Sequence, residues 1–208
     1  MLNIAIDESN TLFRKGLELF LEEVLQNVHN ESVHFHDLTK INAIHADIIV
    51  KDFIAGSQFI CQPILKFRSK PGLIIGIYEG GENLHHDELP LCIKNIIFIA
   101  RTEPVHSARN KVSLAWRDTI AHPMGSHCNK CLQCKYRTLT PQQIMIAKSL
   151  LHGNDILKIS QQLGINVKTV SAHKRHLMSK FNLKNDCELL HFLRTLKDKN
   201  QPAYLLKE

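Results

Sequence analysis

Five short β-like runs, LNIAI (2–6), VHFHD (33–37), DIIVK (47–51), LIIGI (73–77) and IIFIA (96–100), punctuate the first half of the chain. Most of them are apolar with hardly a break. A strand that is apolar on both faces cannot border water, so these runs predict a parallel sheet covered on each side, with crossover segments between strands. The first crossover, TLFRKGLELFLEEVL, places Leu12, Phe13, Leu17, Phe20, Leu21 and Leu25 at helical spacing, with Glu18, Glu22 and Glu23 largely on other sides. Residues 104–117 read as the last covering helix, with Trp116 as a packing residue.

From about residue 118 the pattern changes. HPMGSHCNKCLQCKYR has few aliphatic residues and no period, and reads as a linker. After it the pattern is wholly helical. The expected organisation is an α/β domain over 1–117, a cysteine-containing linker over 118–137, an all-α domain of four helices over 138–197 and a tail over 198–208. No run of eighteen or more apolar residues occurs, and MLNIAIDESN carries an acidic pair where a signal peptide would carry a basic flank. A cytoplasmic protein without a membrane partner is expected. There the six cysteines (61, 92, 128, 131, 134 and 187) serve as thiols or metal ligands.

Charge is divided unevenly. Residues 1–117 hold 12 Lys/Arg against 14 Asp/Glu, whereas residues 135–199 hold 12 against 4. Positive charge concentrated in one third of the chain points to a polyanion for that third, or to a solvated basic surface.

The helical third opens on TPQQIMIAKSLLHG. Thr140 is a helix cap, Pro141 sits where a missing N–H costs nothing, and Gln143 can close a capping box. Ile144, Ala147 and Leu151 are the expected inner stripe, and Gly153 a left-handed stop. A second helix, about DILKISQQL, turns Ile156, Ile159 and Leu163 inward. Gly164-Ile165-Asn166 is then a three-residue turn whose Asn166 caps the next helix. In that helix, VKTVSAHKRHLMSKF, the residues Val170, His173, Leu177 and Phe181 form one buried stripe. Two short helices joined by a glycine-containing turn make a helix-turn-helix, whose second helix enters the major groove of double-stranded DNA. Small Ser171 and Ala172 permit close approach to base edges and Arg175 can reach guanine. Lys168 and Thr169 suit phosphates, and Lys174 flanks them. The alternative is an ordinary amphipathic helix with a solvated cationic face.

With these residues in view, LTPQQ…G…ISQQLGINVKTVSAHKRHLMSKFNL (139–183) closely resembles the four-helix DNA-binding domain of LuxR/NarL/FixJ-type regulators, to about residue 196. The match runs through Leu139-Thr140-Pro141, Gly153, Ile159, Leu163-Gly164-Ile165, Lys168-Thr169-Val170, His173, Lys180 and Leu183. It departs at Gln143 and Met145, where the family usually has acidic residues. The fourth helix, NDCELLHFLRTLK, is expected to carry a dimer contact through Leu189, Leu190, Leu193 and Leu196, with itself or with a related regulator. Cys187 there reads as a small apolar residue.

Domains of this kind often follow a phospho-receiver, and the N-terminal half resembles one, a five-stranded parallel fold of flavodoxin-like order. By that resemblance Asp7 and Glu8 are an acidic pair, Asp52 stands at the acceptor position, and the three carboxylates would hold Mg²⁺. The rest of the machinery departs from the pattern. Gly76 stands where the family has a Ser or Thr, and Ala100 where it has a Lys. Arg101 is one residue away, an offset that points to the other face of a strand. The reading is a receiver-like domain without phosphate readout, as in atypical auxiliary members of the family. A working receiver phosphorylated at Asp52 is the alternative.

Cys128, Cys131 and Cys134 form CxxCxxC, with His122 and His127 upstream. Three thiolates plus His127 or His122 could close a zinc site, an iron–sulfur cluster has similar needs, and Lys130 and Lys135 could favour reversible thiol oxidation. A plain linker with unligated thiols is the fourth option. No enzyme is expected, because no Ser/His/Asp, P-loop or nucleotide-binding glycine pattern occurs.

Overall fold

Strand β1 (Leu2–Asp7) lies between β2 (Val33–Asp37) and β3 (Ile48–Phe53), and β4 (Leu73–Tyr78) and β5 (Ile96–Ala100) continue the sheet. The order is therefore β2-β1-β3-β4-β5, and every pairing is parallel. The computed structural model of the protein describes residues 1–29, 32–79, 89–93, 95–122 and 137–198. All five expected strands are present, because each run is long enough for one strand and too short for a helix of three turns. Among the described residues no helix is long and apolar enough to cross a membrane.

The chain divides into two units. The first contains the sheet, with helices α1 (Thr11–His29), α2 (Lys40–His45) and α3 (Val105–Ala121). Helices α1 and α3 cover one face. Leu17, Leu21, Val24 and Leu25 of α1 and Ala108, Val112 and Trp116 of α3 pack there on Ile4, Ile6, Val50, Ile75 and Ile99. Leu12 was expected in that stripe but is 85% exposed. It stands five residues before Leu17 and so off the buried face, whereas Phe13, four residues before Leu17, packs against the core. On the other face α2 packs on β1 and on a 3-10 turn, Pro63–Phe67. Between β3 and β4 the crossover is built from short 3-10 turns, not from an α-helix. Helix α3 also continues to Ala121, past the expected end at 117.

Gly76 is required by packing. A methyl group there would lie 2.7 Å from Phe98 Cδ1 and 3.1 Å from Phe53 Cδ2. Those two rings meet edge to face at 5.6 Å, and Tyr78 meets Phe98 at 6.2 Å. Gly76→Ser should therefore destabilise the sheet unit by about 1–3 kcal/mol through overpacking, read as a lower urea midpoint. An unchanged midpoint would show that the rings give way freely.

Glu103 closes the turn from β5 into α3. Its carboxylate accepts from Ser107 Oγ at 2.6 Å, from Lys111 Nζ at 2.8 and 2.9 Å and from the Ala100 amide at 3.3 Å. Burial alone would raise its pKa, but the bonds from Lys111 and Ser107 outweigh it and hold the carboxyl below the ordinary range. A depressed carboxylate stabilises the fold fully above its unfolded pKa of about 4.3 and loses that contribution as pH falls through the lower folded value. The sheet unit should thus weaken with acid below about pH 4.3, and Glu103→Gln should flatten that limb of a plot of urea midpoint against pH.

The second unit contains α4 (Pro141–Leu151), α5 (Ile156–Leu163), α6 (Val167–Lys180) and α7 (Asp186–Asp198), together with residues Ile54–Cys61. Its larger core joins Phe59 and Ile60 to Leu139, Ala147, Leu177, Phe181, Leu183, Leu189, Phe192, Leu193 and Leu196. Gly56 has φ +83°, and a methyl group added there would lie 3.1–3.2 Å from Leu183, Phe192 and Phe181. A smaller cluster joins Ile146, Ile159 and Val170.

This packing corrects one expectation. Leu189, Leu193 and Leu196 are buried in the unit's own core and Leu190 is half-buried, so these leucines do not form an exposed dimer stripe. The surplus apolar surface of α7 is taken up by Phe59 and Ile60, which sequence distance had hidden. In α4 the expected stripe faces this core, with Ala147 buried and Ile144 and Leu151 packed half-buried against it, and Gln143 and Ile146 are buried as well. Cys187, expected as a small apolar residue, is exposed.

Candidate nucleic-acid interface

The helix-turn-helix is set by local hydrogen bonds. Thr140 Oγ1 accepts from the Gln143 amide at 3.3 Å and Gln143 Oε1 accepts from the Thr140 amide at 3.0 Å, a complete capping box. Asp155 caps α5 by accepting from the Lys158 amide at 2.7 Å. Gly164 ends α5 at φ +63°, a left-handed conformation that costs a side chain energy and glycine none. Asn166 Oδ1 then accepts from the Lys168 amide at 2.8 Å and starts α6. These caps and the Gly164 turn are closed by partners no more than five residues away.

Helix α6 buries Val170 and Leu177 and caps on buried Phe181, with Met178 and His173 half-buried. Its other side presents Lys168, Thr169, Arg175, His176 and Ser179 as exposed residues, with Ser171 and Ala172 half-buried between them. Residues 168, 172, 175 and 179 follow a spacing of four, three and four and so form one outward row. His176 and Ser179 belong to this surface and were missed by the sequence reading. The same periodicity that placed Arg175 would have found them.

Lys174 does not join that surface. Its side chain is 15% exposed and its Nζ bonds Asp186 Oδ2 at 2.6 Å, tying α6 to the start of α7. The expectation of a DNA contact at Lys174 is corrected for that reason. The far end of α6 is fixed by Arg137. Its guanidinium donates to the Lys180 carbonyl and stacks on Phe59, with Cζ 3.8 Å from the ring centroid. A cation on the last carbonyls of a helix also complements its dipole.

In the sheet unit, the carboxylates expected to hold Mg²⁺ lie at the C-terminal edge of the strands. Strand register decides what surrounds them. Asp52 pairs with Ile77, and Ile77 with Ile99. Side chains two apart share a face, so Arg101 follows Ile99 onto the Asp52 face, while Gly76 and Ala100 lie on the other. This reverses the sequence alignment. The residue beside Asp52 on β4 is Ile77, which offers no hydroxyl, and the cation at the end of β5 is Arg101.

Arg101 Nη2 lies 2.5 Å from Glu8 Oε2 and 3.0 Å from Asp52 Oδ1. Its guanidinium stacks on Phe13, with Cζ 4.4 Å from the ring centroid, and its amide bonds the Tyr78 carbonyl at 2.9 Å. Lys51, buried on the opposite face, bonds Asp7 Oδ2 at 2.7 Å. Asp7 therefore stands apart from Glu8 and Asp52. Among the described residues, no group of three His, Cys, Asp or Glu side chains is placed to hold a metal ion.

Cys128, Cys131, Cys134 and His127 lie outside the described residues. His122 is exposed, and its Nδ1 lies 3.2 Å from Asp118 Oδ1.

Residues 137–193 match the family described as bacterial regulatory proteins, luxR family. The oxygen regulatory protein NreC of Staphylococcus carnosus is 37% identical over 57 residues, 27% of this chain and 26% of NreC. The chain thus spans about a quarter of the length of that relative. In fold, the likeness extends further. The structure of the two-component response regulator RcsB in complex with DNA covers 94% of this chain and 98% of its own, with a TM-score of 0.56 at 16% identity. A structure of two RcsB dimers bound to two parallel DNAs gives a TM-score of 0.54 with the same coverage and identity.

Proposed function

We propose, from the match of residues 137–193 to the luxR family of bacterial regulatory proteins, that the chain is a sequence-specific, DNA-binding regulator of transcription. The observation that carries this reading is the outward row of α6, with Lys168, Ala172, Arg175 and Ser179 on one side of a helix capped and held by its neighbours. Arg175 would read a guanine edge, Ala172 and Ser171 would let the helix approach, and Lys168 and Thr169 would hold phosphates near the α6 N-terminus. The excess of positive charge over residues 135–199 supports the same partner.

The proposal has two finer parts. The protein acts as a homodimer or as a heterodimer with a related regulator, since two recognition helices read two half-sites; the dimers in the RcsB structure support this. It also works without phosphorylation at Asp52, a reading supported by Ile77 in place of a hydroxyl beside that residue.

Selecting bound duplexes from a random pool tests the first claim. A single enriched motif is expected, and binding no stronger than to bulk competitor DNA at moderate salt would end it. Sedimentation of the complex with the enriched duplex gives the number of chains bound. Incubation with a small phosphodonor and Mg²⁺, followed by intact mass, tests the second part. An adduct absent from Asp52→Asn would make the chain a phosphorylated response regulator instead.

A further inference from the structure

The receiver-like fold implies a divalent cation between the carboxylates at the strand ends, and the side chains here do not fit one. Mg²⁺ draws oxygen ligands to about 2.0–2.1 Å in a near-ideal octahedron. Glu8 and Asp52, the two carboxylates on one face, instead converge on a single nitrogen, Arg101 Nη2, at 2.5 and 3.0 Å. That nitrogen carries positive charge of its own, so a divalent ion in the same place would meet repulsion as well as occupied oxygens.

Nor can the guanidinium drift away. Phe13 lies against one side of it, the Arg101 amide is bonded to Tyr78, and Glu103 closes the turn that follows. Burial alone would lower the Arg101 pKa, but the bonds to Glu8 and Asp52 outweigh burial and raise it, so the group stays charged. The third carboxylate, Asp7, is held on the far side of the sheet by Lys51. Each acidic side chain of the expected metal site thus has a cation supplied by the chain itself.

We propose that Arg101 is a tethered cation standing in the place of the divalent metal, so that Glu8 and Asp52 are neutralised by the fold and this edge of the sheet keeps one charge state with or without metal. A diffusible ion enters and leaves with its concentration, whereas a covalently attached one cannot. The site would therefore be a fixed structural element and not a switch. This deepens the phosphorylation-independent reading, yet the two fail separately. An adduct on Asp52 removes that reading, whereas the metal titration below tests only the Arg101 bridge.

The experiment is a titration of the full chain with Mg²⁺, followed by calorimetry and by the thermal midpoint of unfolding. Wild type should show no saturable heat and the same midpoint in millimolar Mg²⁺ as in chelator. Arg101→Ala should melt earlier in chelator and recover in Mg²⁺, with apparent Mg²⁺ affinity at least about tenfold above wild type. Arg101→Lys should stay close to wild type in its indifference to metal. Saturable Mg²⁺ binding by wild type that is lost in Asp52→Asn overturns the proposal, and this measurement does not depend on the alanine variant folding. An alanine variant that gains nothing from Mg²⁺, folded or unfolded, overturns it as well.

Discussion

Phe181→Ala is expected to destabilise the helical unit by about 3–5 kcal/mol, the cost of truncating a fully buried phenylalanine. Phe181 is 0% exposed and lies where α6 ends, its ring centroid 4.6 Å from that of Phe192. Around it the same core gathers Leu177, Leu183, Leu189 and Leu193 from α6, α7 and the connection between them, and Phe59 and Ile60 from the segment after β3. No one of these neighbours can move into the vacated space without giving up contacts to the others, which places the cost toward the upper part of the range. Against a typical domain stability of about 5–15 kcal/mol, that loss leaves the unit marginal or unfolded at 37 °C. Circular dichroism melts should show the helical signal lost at lower temperature, and DNA binding should vanish with it. A variant that melts within a few degrees of wild type would mean that the ring is not the centre of this core.

Arg175→Ala should act in the opposite manner, with binding lost and fold intact. Arg175 is exposed on α6, and no hydrogen bond or ion pair in the unit uses it among those described. Removing it should cost about 1–3 kcal/mol at a preferred duplex, or roughly 5- to 150-fold in affinity. The melting temperature should stay unchanged. Binding to nonspecific DNA should fall much less, because phosphate contacts carry that term. Lys168→Ala gives the contrast: binding should weaken on all sequences alike and the salt dependence should become shallower by about one charge. If Arg175→Ala left the selected motif and its affinity as they were, the recognition face would have to be sought elsewhere on the unit.

The two corrections at the sheet edge and on α7 have a common origin. Strand parity is easy to read within one strand, but which residue of β5 faces Asp52 depends on how β3, β4 and β5 are aligned. A one-residue error in that alignment exchanges Arg101 for Ala100 and turns a cation into a methyl group. On α7, the leucines at 189, 193 and 196 look like unpaid apolar surface until Phe59 and Ile60, more than a hundred residues earlier, fill the space over them. Lys174 is the small-scale version: its charge is plain in the sequence, but its partner Asp186 is known only once α6 and α7 pack together. By contrast, the rotation of α6 that exposes His176 and Ser179 was already contained in its own periodicity.

What the chain's order of residues determined alone is whatever closes within a few positions. The capping box of Thr140 and Gln143, the Gly164 turn, the Asn166 cap, and five strand runs too short for a helix of three turns all belong there. Such features rest on hydrogen bonds and backbone preferences that the neighbouring residues supply. Only the tertiary structure decided that Arg101 bridges Glu8 and Asp52, that Lys51 takes Asp7 to the other side, and that α7 is covered from within. Those outcomes depend on which distant groups meet, and Coulomb attraction and apolar burial act on distance in space, to which separation along the chain is a poor guide.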